Sequence, residues 1–164
     1  MKLPRGVEWM AHCLVALAVC DDAGPVPRRA LSEMFDISEE YLAKQLQLLV
    51  KQGIIASTAG QRGGYRLSKP ATEVSLLDVF KAIQGDAPLF NCEEMRCRGI
   101  FESEAERIKA RGKCGIHKAM LAAETEWRQS LAYVTIDSLT ESVGDDGTKT
   151  MRDFVSSVRQ SIAP

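Results

Sequence analysis

The stretch Ser38–Tyr65 constrains this chain more than any other, because it joins an amphipathic helix to a glycine-tipped hairpin. Ser38 precedes Glu39 and Glu40. A serine oxygen there accepts from an orphan N–H of the first turn, and the carboxylates suit the positive helix end. Leu42, Leu46, Leu49 and Val50 then recur at the spacing of one helical face. Gly53 ends the helix, Ile54 and Ile55 begin a strand, and Tyr65-Arg66-Leu67 starts its return. Gly60, Gly63 and Gly64 between them mark a sharp turn or a close approach. A helix followed by such a hairpin outlines a winged helix-turn-helix. The helix enters a major groove, and the tip, with Arg62, reaches the backbone or the minor groove.

The preceding residues fit that outline. Val7, Met10, Leu14 and Leu17 give Pro4–Cys20 a buried helical stripe. Cys13 and Cys20 read as small buried hydrophobes. Pro27–Phe35 forms a second helix, and Asp36-Ile37 turns the chain into the third. The solvent face then offers Ser38, Tyr41, Lys44 and Gln45, joined by Arg62, Gly63, Tyr65 and Arg66 of the wing, as candidate contacts to double-stranded DNA. Net charge is −1, and residues 1–70 hold nine Lys/Arg against seven Asp/Glu. There is no general basic coat, so the placement of these charges must carry any DNA binding.

Downstream, Ser75 caps a helix over Leu76–Gln84, which completes a DNA-binding domain at 1–85. Residues 86–115 form a cysteine-bearing loop. Residues 116–143 contain a long helix whose Ile116, Met120, Ala123, Trp127, Leu131 and Val134 make one apolar seam, suited to burial against a second copy. Residues 144–164 read as a tail with a polar break at Gly144–Lys149 and a loose amphipathic helix after it. The expected fold is mainly α with a small β-hairpin wing. No apolar run nears the roughly 20 residues of a membrane span, so the expected location is cytoplasmic, without a membrane partner. An enzyme is not expected: His12 and His117 lack an accompanying nucleophile, and no CxxC pair is present.

Cys92, Cys97 and Cys114 lie in the loop, and His117 follows three residues later. Thiolates are soft ligands that select zinc, copper(I) or iron–sulfur clusters. The spacing alone leaves three readings open: unrelated thiols, a thiol-switched or clusterless regulator, and a zinc-stabilised interaction module closed by Cys92, Cys97, Cys114 and His117.

The chain also resembles the IscR/NsrR-type (Rrf-two) family of winged-helix regulators over residues 1–140. The matching segments are MKLPRGVEW, SEEYLAKQLQLLVKQGII, AGQRGGYRLSKP and VSLLDVFKAIQG. That resemblance implies a homodimer on a palindromic operator, usually a repressor, with an iron–sulfur sensor of redox state or nitric oxide. The opening segment and the Cys92 to Cys114 separation are most similar to the RsrR-like branch, which holds a 2Fe-2S cluster. By that resemblance Glu8, Cys92 and Cys114 are ligands, with Glu8 supplied by the partner chain. Phe35 stands where the branch has a ligating histidine. Cys97 would supply the missing ligand, with His117 as its substitute.

Overall fold

The computed structural model describes residues 3–60 and 63–162, so Arg62 lies outside the described residues. Two compact units make up the chain, Met1–Gly85 with Leu131–Pro164, and Asp86–Ser130.

In the first unit, α1 (Arg5–Val19) is the core helix. Met10, Cys13 and Leu14 are fully buried and Leu17 is nearly so, because their spacing puts them on one side. Helices α2 (Arg28–Phe35) and α3 (Glu39–Lys51) form the helix-turn-helix. Asp36 makes the turn in a left-handed conformation, φ 50° and ψ 47°, which aspartate tolerates better than most residues. Ser32 secures it: its hydroxyl donates to the Ile37 carbonyl at 2.6 Å, and the Ile37 N–H returns to the Ser32 carbonyl at 3.0 Å. Ser38 caps α3 by accepting from the Tyr41 N–H at 3.4 Å.

The wing pairs β1 (Ile55–Thr58) with β2 (Gly64–Leu67), antiparallel, from Ile55↔Leu67 to Thr58↔Gly64. Helix α4 (Leu76–Gln84) opens with a reciprocal capping box. The Ser75 N–H donates to the Asp78 carboxylate at 2.8 Å, and the Asp78 N–H donates to the Ser75 hydroxyl at 3.2 Å. The segment that leads into α7 (Ile136–Thr140) is sewn to the segment before α4. Leu76 N–H donates to the Val134 carbonyl at 2.9 Å and Ile136 N–H to the Val74 carbonyl at 2.8 Å. Ile136 and Val74 are completely buried there.

The end of the chain differs from the sequence expectation. A single helix, α8 (Gly144–Ile162), replaces the polar break and loose helix. Asp145 and Asp146 sit in its first turn, where the helix dipole favours them, so the polar start is compatible with helix. Further along, Val155 and Val158 are buried and the helix packs on α1 and α2. Arg152 donates to the Val19 carbonyl at 2.7 Å and to Asp22 at 3.2 Å. Arg159 donates to the carbonyls of Ala23, Gly24 and Pro25 in the turn before α2.

The second unit holds the cysteine loop, a short helix α5 (Ala105–Ala110), and residues 115–130 of α6 (Gly115–Tyr133). Arg128 and Glu124 of α6 lace the loop's start to the helix. Arg128 donates to Asp86 and to the Ala87 carbonyl at 2.8 and 2.9 Å, and Glu124 accepts the Leu89 N–H at 3.0 Å. No residue of α6 is buried, and Ile116 and Met120 are 74% and 46% exposed. Among the described residues no helix is long and apolar enough to cross a membrane.

Candidate nucleic-acid interface and metal centre

The inward face of α3 is set by Leu42, Leu46 and Leu49, all fully buried. Its outward face is therefore Glu40, Lys44, Gln47 and Lys51, all exposed. Tyr41 and Gln45 lie between these faces and turn toward α1, which corrects the expectation that both project outward. The Tyr41 ring meets Trp9 edge-on at 5.2 Å. A Cβ on Gly6 would stand 3.0 Å from Gln45 Oε1 and 3.1 Å from the Tyr41 hydroxyl, so α1 approaches α3 closely at this glycine. The reason is angular: positions 41 and 45 sit one residue before the buried 42 and 46, on the flank that faces α1.

The basic groups of this surface are partly neutralised. Lys44 pairs with Glu40 at 2.9 Å along α3, and Arg28 at the start of α2 pairs with Glu39 at 3.0 Å. All four side chains are substantially exposed, so these pairs hold little energy and can exchange for phosphate. Arg66 is exposed on β2, while Tyr65 is half-buried. Gly63 and Gly64 are sterically required. A Cβ on Gly63 would fall 2.2 Å from the Thr58 carbonyl oxygen, and one on Gly64 would fall 2.3 Å from that of Val26.

In the second unit the donor atoms of Cys92, Glu94 and His117 lie within 4.8 Å of one another. Cys114 joins them along a cavity of about 430 Å³ that Phe90 also lines. The His117 N–H at the start of α6 donates to Cys114 Sγ at 3.4 Å. Glu94 has a positive φ of 51°, shared among described non-glycine residues only with Asp36. A hydrogen bond from Arg96, 2.9 Å away, holds the Glu94 carboxyl below the usual carboxylate range, so it is ionised at neutral pH. Cys97 stands beside this group: its Sγ is 3.9 Å from the Glu94 carboxylate and 3.8 Å from the Ala105 carbonyl. The His117 Nδ1 atom is buried and has no hydrogen-bond partner. Leaving such an atom unpaired is costly, and a bound cation would remove the cost. Thiolate, carboxylate and imidazole donors suit an iron–sulfur or zinc centre, so the residues fit the group that the sequence implies.

Glu8 is carried by α1. It is exposed in the first unit, where it borders an apolar cavity of about 750 Å³ with His12, Val15 and Met151. His12 also meets the Phe35 ring at 5.8 Å. Sequence reasoning missed Glu94 as a partner of the cysteines. The signal was its place two residues after Cys92, unremarkable in a loop where Glu93 is also acidic.

A capped recognition helix, its turn and a two-stranded wing define a winged-helix DNA-binding protein. The chain belongs to the Rrf2 family, described as an iron-dependent transcriptional regulator, whose model matches residues 3–142. It is 25% identical over 145 residues to YwgB of Bacillus subtilis, whose name places it among HTH-type transcriptional regulators, with 88% of each chain covered. It is 30% identical over 93 residues to the transcriptional regulator IscR of Escherichia coli, with 57% of each chain covered. The fold is also that of CymR, the global cysteine regulator of Bacillus subtilis, with TM-score 0.65, 17% identity, and 88% of this chain and 99% of that one covered. The relatives are transcriptional regulators and not enzymes. Helix α8 lies after the residues that the family model matches.

Proposed function

We propose that this protein is a homodimeric repressor that binds a palindromic operator, and that a 2Fe-2S cluster in residues 86–130 sets its affinity. The observation that carries the sensor reading is His117, whose buried Nδ1 has no hydrogen-bond partner and whose side chain offers a donor nitrogen within 4.8 Å of Cys92 and Glu94. When bound, the cluster supplies a reversible one-electron change and a target for oxidants or nitric oxide.

The chain's own residues do the rest. Lys44 and Arg66 meet phosphates, Ser38 fixes the start of α3, and Gly63 and Gly64 let the wing turn tightly enough to approach the duplex. The exposed Ile116 and Met120, in line with Ala123, Trp127, Leu131 and Val134, offer the seam for a second copy. Two recognition helices must then be held about 34 Å apart, or a multiple of it, to enter successive major grooves. Cys114 immediately precedes α6 and accepts an N–H of its first turn, so rearrangement of the loop is transmitted to the helix that carries the seam.

Selection of binding sites from random duplexes, followed by footprinting and sedimentation, tests this reading. The expected result is a dimer protecting two symmetric half-sites, with affinity that changes at least tenfold between the anaerobically reconstituted and metal-free protein. A monomer on an asymmetric site, or equal affinity in the two states, would overturn it. CymR, a cysteine regulator, sets a second reading beside it, in which the response is not to redox state or nitric oxide; dependence on neither metal nor sulfide would favour that one.

A further inference from the structure

The ligand set implied by family resemblance spans two chains, with Glu8 of one reaching cysteines of the other. The geometry points to a different arrangement: we propose that Cys92, Glu94, Cys114 and His117 of a single chain are the complete ligand set of the metal centre. This rests on the reading of residues 86–130 as a metal-bearing sensor and assigns its ligands.

Three observations carry the assignment. First, one donor atom each from Cys92, Glu94 and His117 already lies within 4.8 Å of the others. Around a single tetrahedral ion such as zinc, with bonds of about 2.0–2.3 Å, ligand atoms stand roughly 3.5 Å apart, and a two-iron cluster, which shares its ligands between its irons, spaces them more widely. Side-chain rotation therefore suffices to close the group. Second, the buried His117 Nδ1 has no partner, and its ring is held by the edge-on Phe90 ring at 5.7 Å. A ring that is fixed with a bare nitrogen is arranged to accept something the protein does not itself provide. Third, Cys114 accepts the His117 backbone N–H and lines the same cavity, which supports it as the fourth donor of the proposed set.

Cys97 takes another role. Its Sγ contacts the Glu94 carboxylate and the Ala105 carbonyl, so it positions Glu94 from behind. Arg96 does the same from its side, and it also donates to the Gly112 carbonyl at 2.6 Å, which ties the turn before Cys114 to Glu94. A set of two thiolates, a carboxylate and an imidazole keeps less negative charge at the centre than four thiolates do. The neighbouring Arg96 offsets part of what remains.

The test uses the full chain, purified anaerobically. Apo protein is loaded either with ferrous iron and sulfide or with zinc alone. Iron, acid-labile sulfide, zinc and visible absorption are measured per chain, with circular dichroism to confirm folding. Glu94→Gln and His117→Gln are expected to weaken metal retention at least about tenfold. His117→Cys restores retention and shifts the absorption bands, because sulfur replaces nitrogen on the metal; a merely structural histidine would produce no such shift. Glu8→Gln stays within twofold of the parent. Parent-like retention by both Glu94→Gln and His117→Gln, or loss of metal in Glu8→Gln, overturns the assignment. The two readings also fail separately. Zinc without sulfide, still dependent on Glu94 and His117, rejects the cluster and keeps the ligand set. A cluster that needs Glu8 keeps the sensor and rejects the ligand set. Retention of neither metal rejects both.

Discussion

Val26 and Tyr65 exchange two backbone hydrogen bonds, each 2.8 Å, which dock the wing against the segment entering α2. The wing is therefore fixed to the helix-turn-helix through backbone, and Gly64 sits at the point of closest approach. Any side chain there would meet the Val26 carbonyl oxygen at 2.3 Å and the Pro27 nitrogen at 2.9 Å, both backbone atoms that cannot move aside alone. Gly64→Ala is expected to cost about 1–3 kcal/mol in urea unfolding and to weaken DNA binding by tilting the wing. Fluorescence anisotropy on a selected duplex checks the second part. An unchanged affinity would mean that the wing does not contact DNA.

Much of this arrangement was legible in the sequence, because helix period, caps and glycine clusters are local signals. Leu42, Leu46 and Leu49 are buried as their spacing requires, and Ser75 caps α4. What was not legible depends on angles between elements. Tyr41 and Gln45 are polar positions on an amphipathic helix, and only the approach of α1 at Gly6 shows which way they turn. Glu94 was hidden for a similar reason: a carboxylate becomes a partner of Cys92 and His117 only once the loop has folded back on α6. Helix α8 was underestimated because its start is polar, while its stability comes from Val155 and Val158 and from arginines that reach a turn more than 130 residues away.

The outward face of α3 leads to a salt-dependence prediction. Lys44 and Glu40 are a surface pair on the outward side of α3, the side that the proposed function turns to DNA. Lys44→Ala is expected to lower the slope of log affinity against log salt by about 1, a sign of one lost phosphate contact. Glu40→Gln should instead raise affinity, by freeing Lys44 and removing a repulsive charge. Tyr41→Phe should leave the salt slope unchanged, because that ring packs on Trp9. If Tyr41→Phe shifted the slope as much as Lys44→Ala, the assignment of faces would be wrong.

Helix α8 should act on DNA binding at a distance. Arg159 holds the carbonyls of Ala23, Gly24 and Pro25, the turn from which α2 departs. Arg159→Ala is expected to cost about 1–2 kcal/mol of stability, from lost charge-assisted hydrogen bonds. Val155→Ala, at a completely buried position, should cost about 2 kcal/mol. Both should weaken operator binding modestly with an unchanged salt slope, because neither residue gives up a phosphate contact. Chemical denaturation and anisotropy at several salt concentrations separate this outcome from direct contact.

Cys13 makes the stability of the first unit fall in alkali. The thiol is completely buried in α1, and desolvation pushes its pKa from 9.0 up to about 12. Below pH about 9 the thiol is neutral in both folded and unfolded chains, and it contributes no pH dependence. Above that pH the unfolded chain releases its proton while the folded chain keeps it. The unfolded state then binds fewer protons, and stability declines as pH rises from about 9 towards 12. Cys13→Ala should flatten this decline, at some cost in packing at neutral pH. The same burial predicts that Cys13 resists alkylation by iodoacetamide in the native protein at pH 8, whereas the half-buried Cys92 reacts in metal-free protein. Urea midpoints at pH 8 and pH 10 and peptide mapping of alkylated protein check both. A native Cys13 labelled as fast as Cys92 would show that α1 opens far more readily than its packing allows.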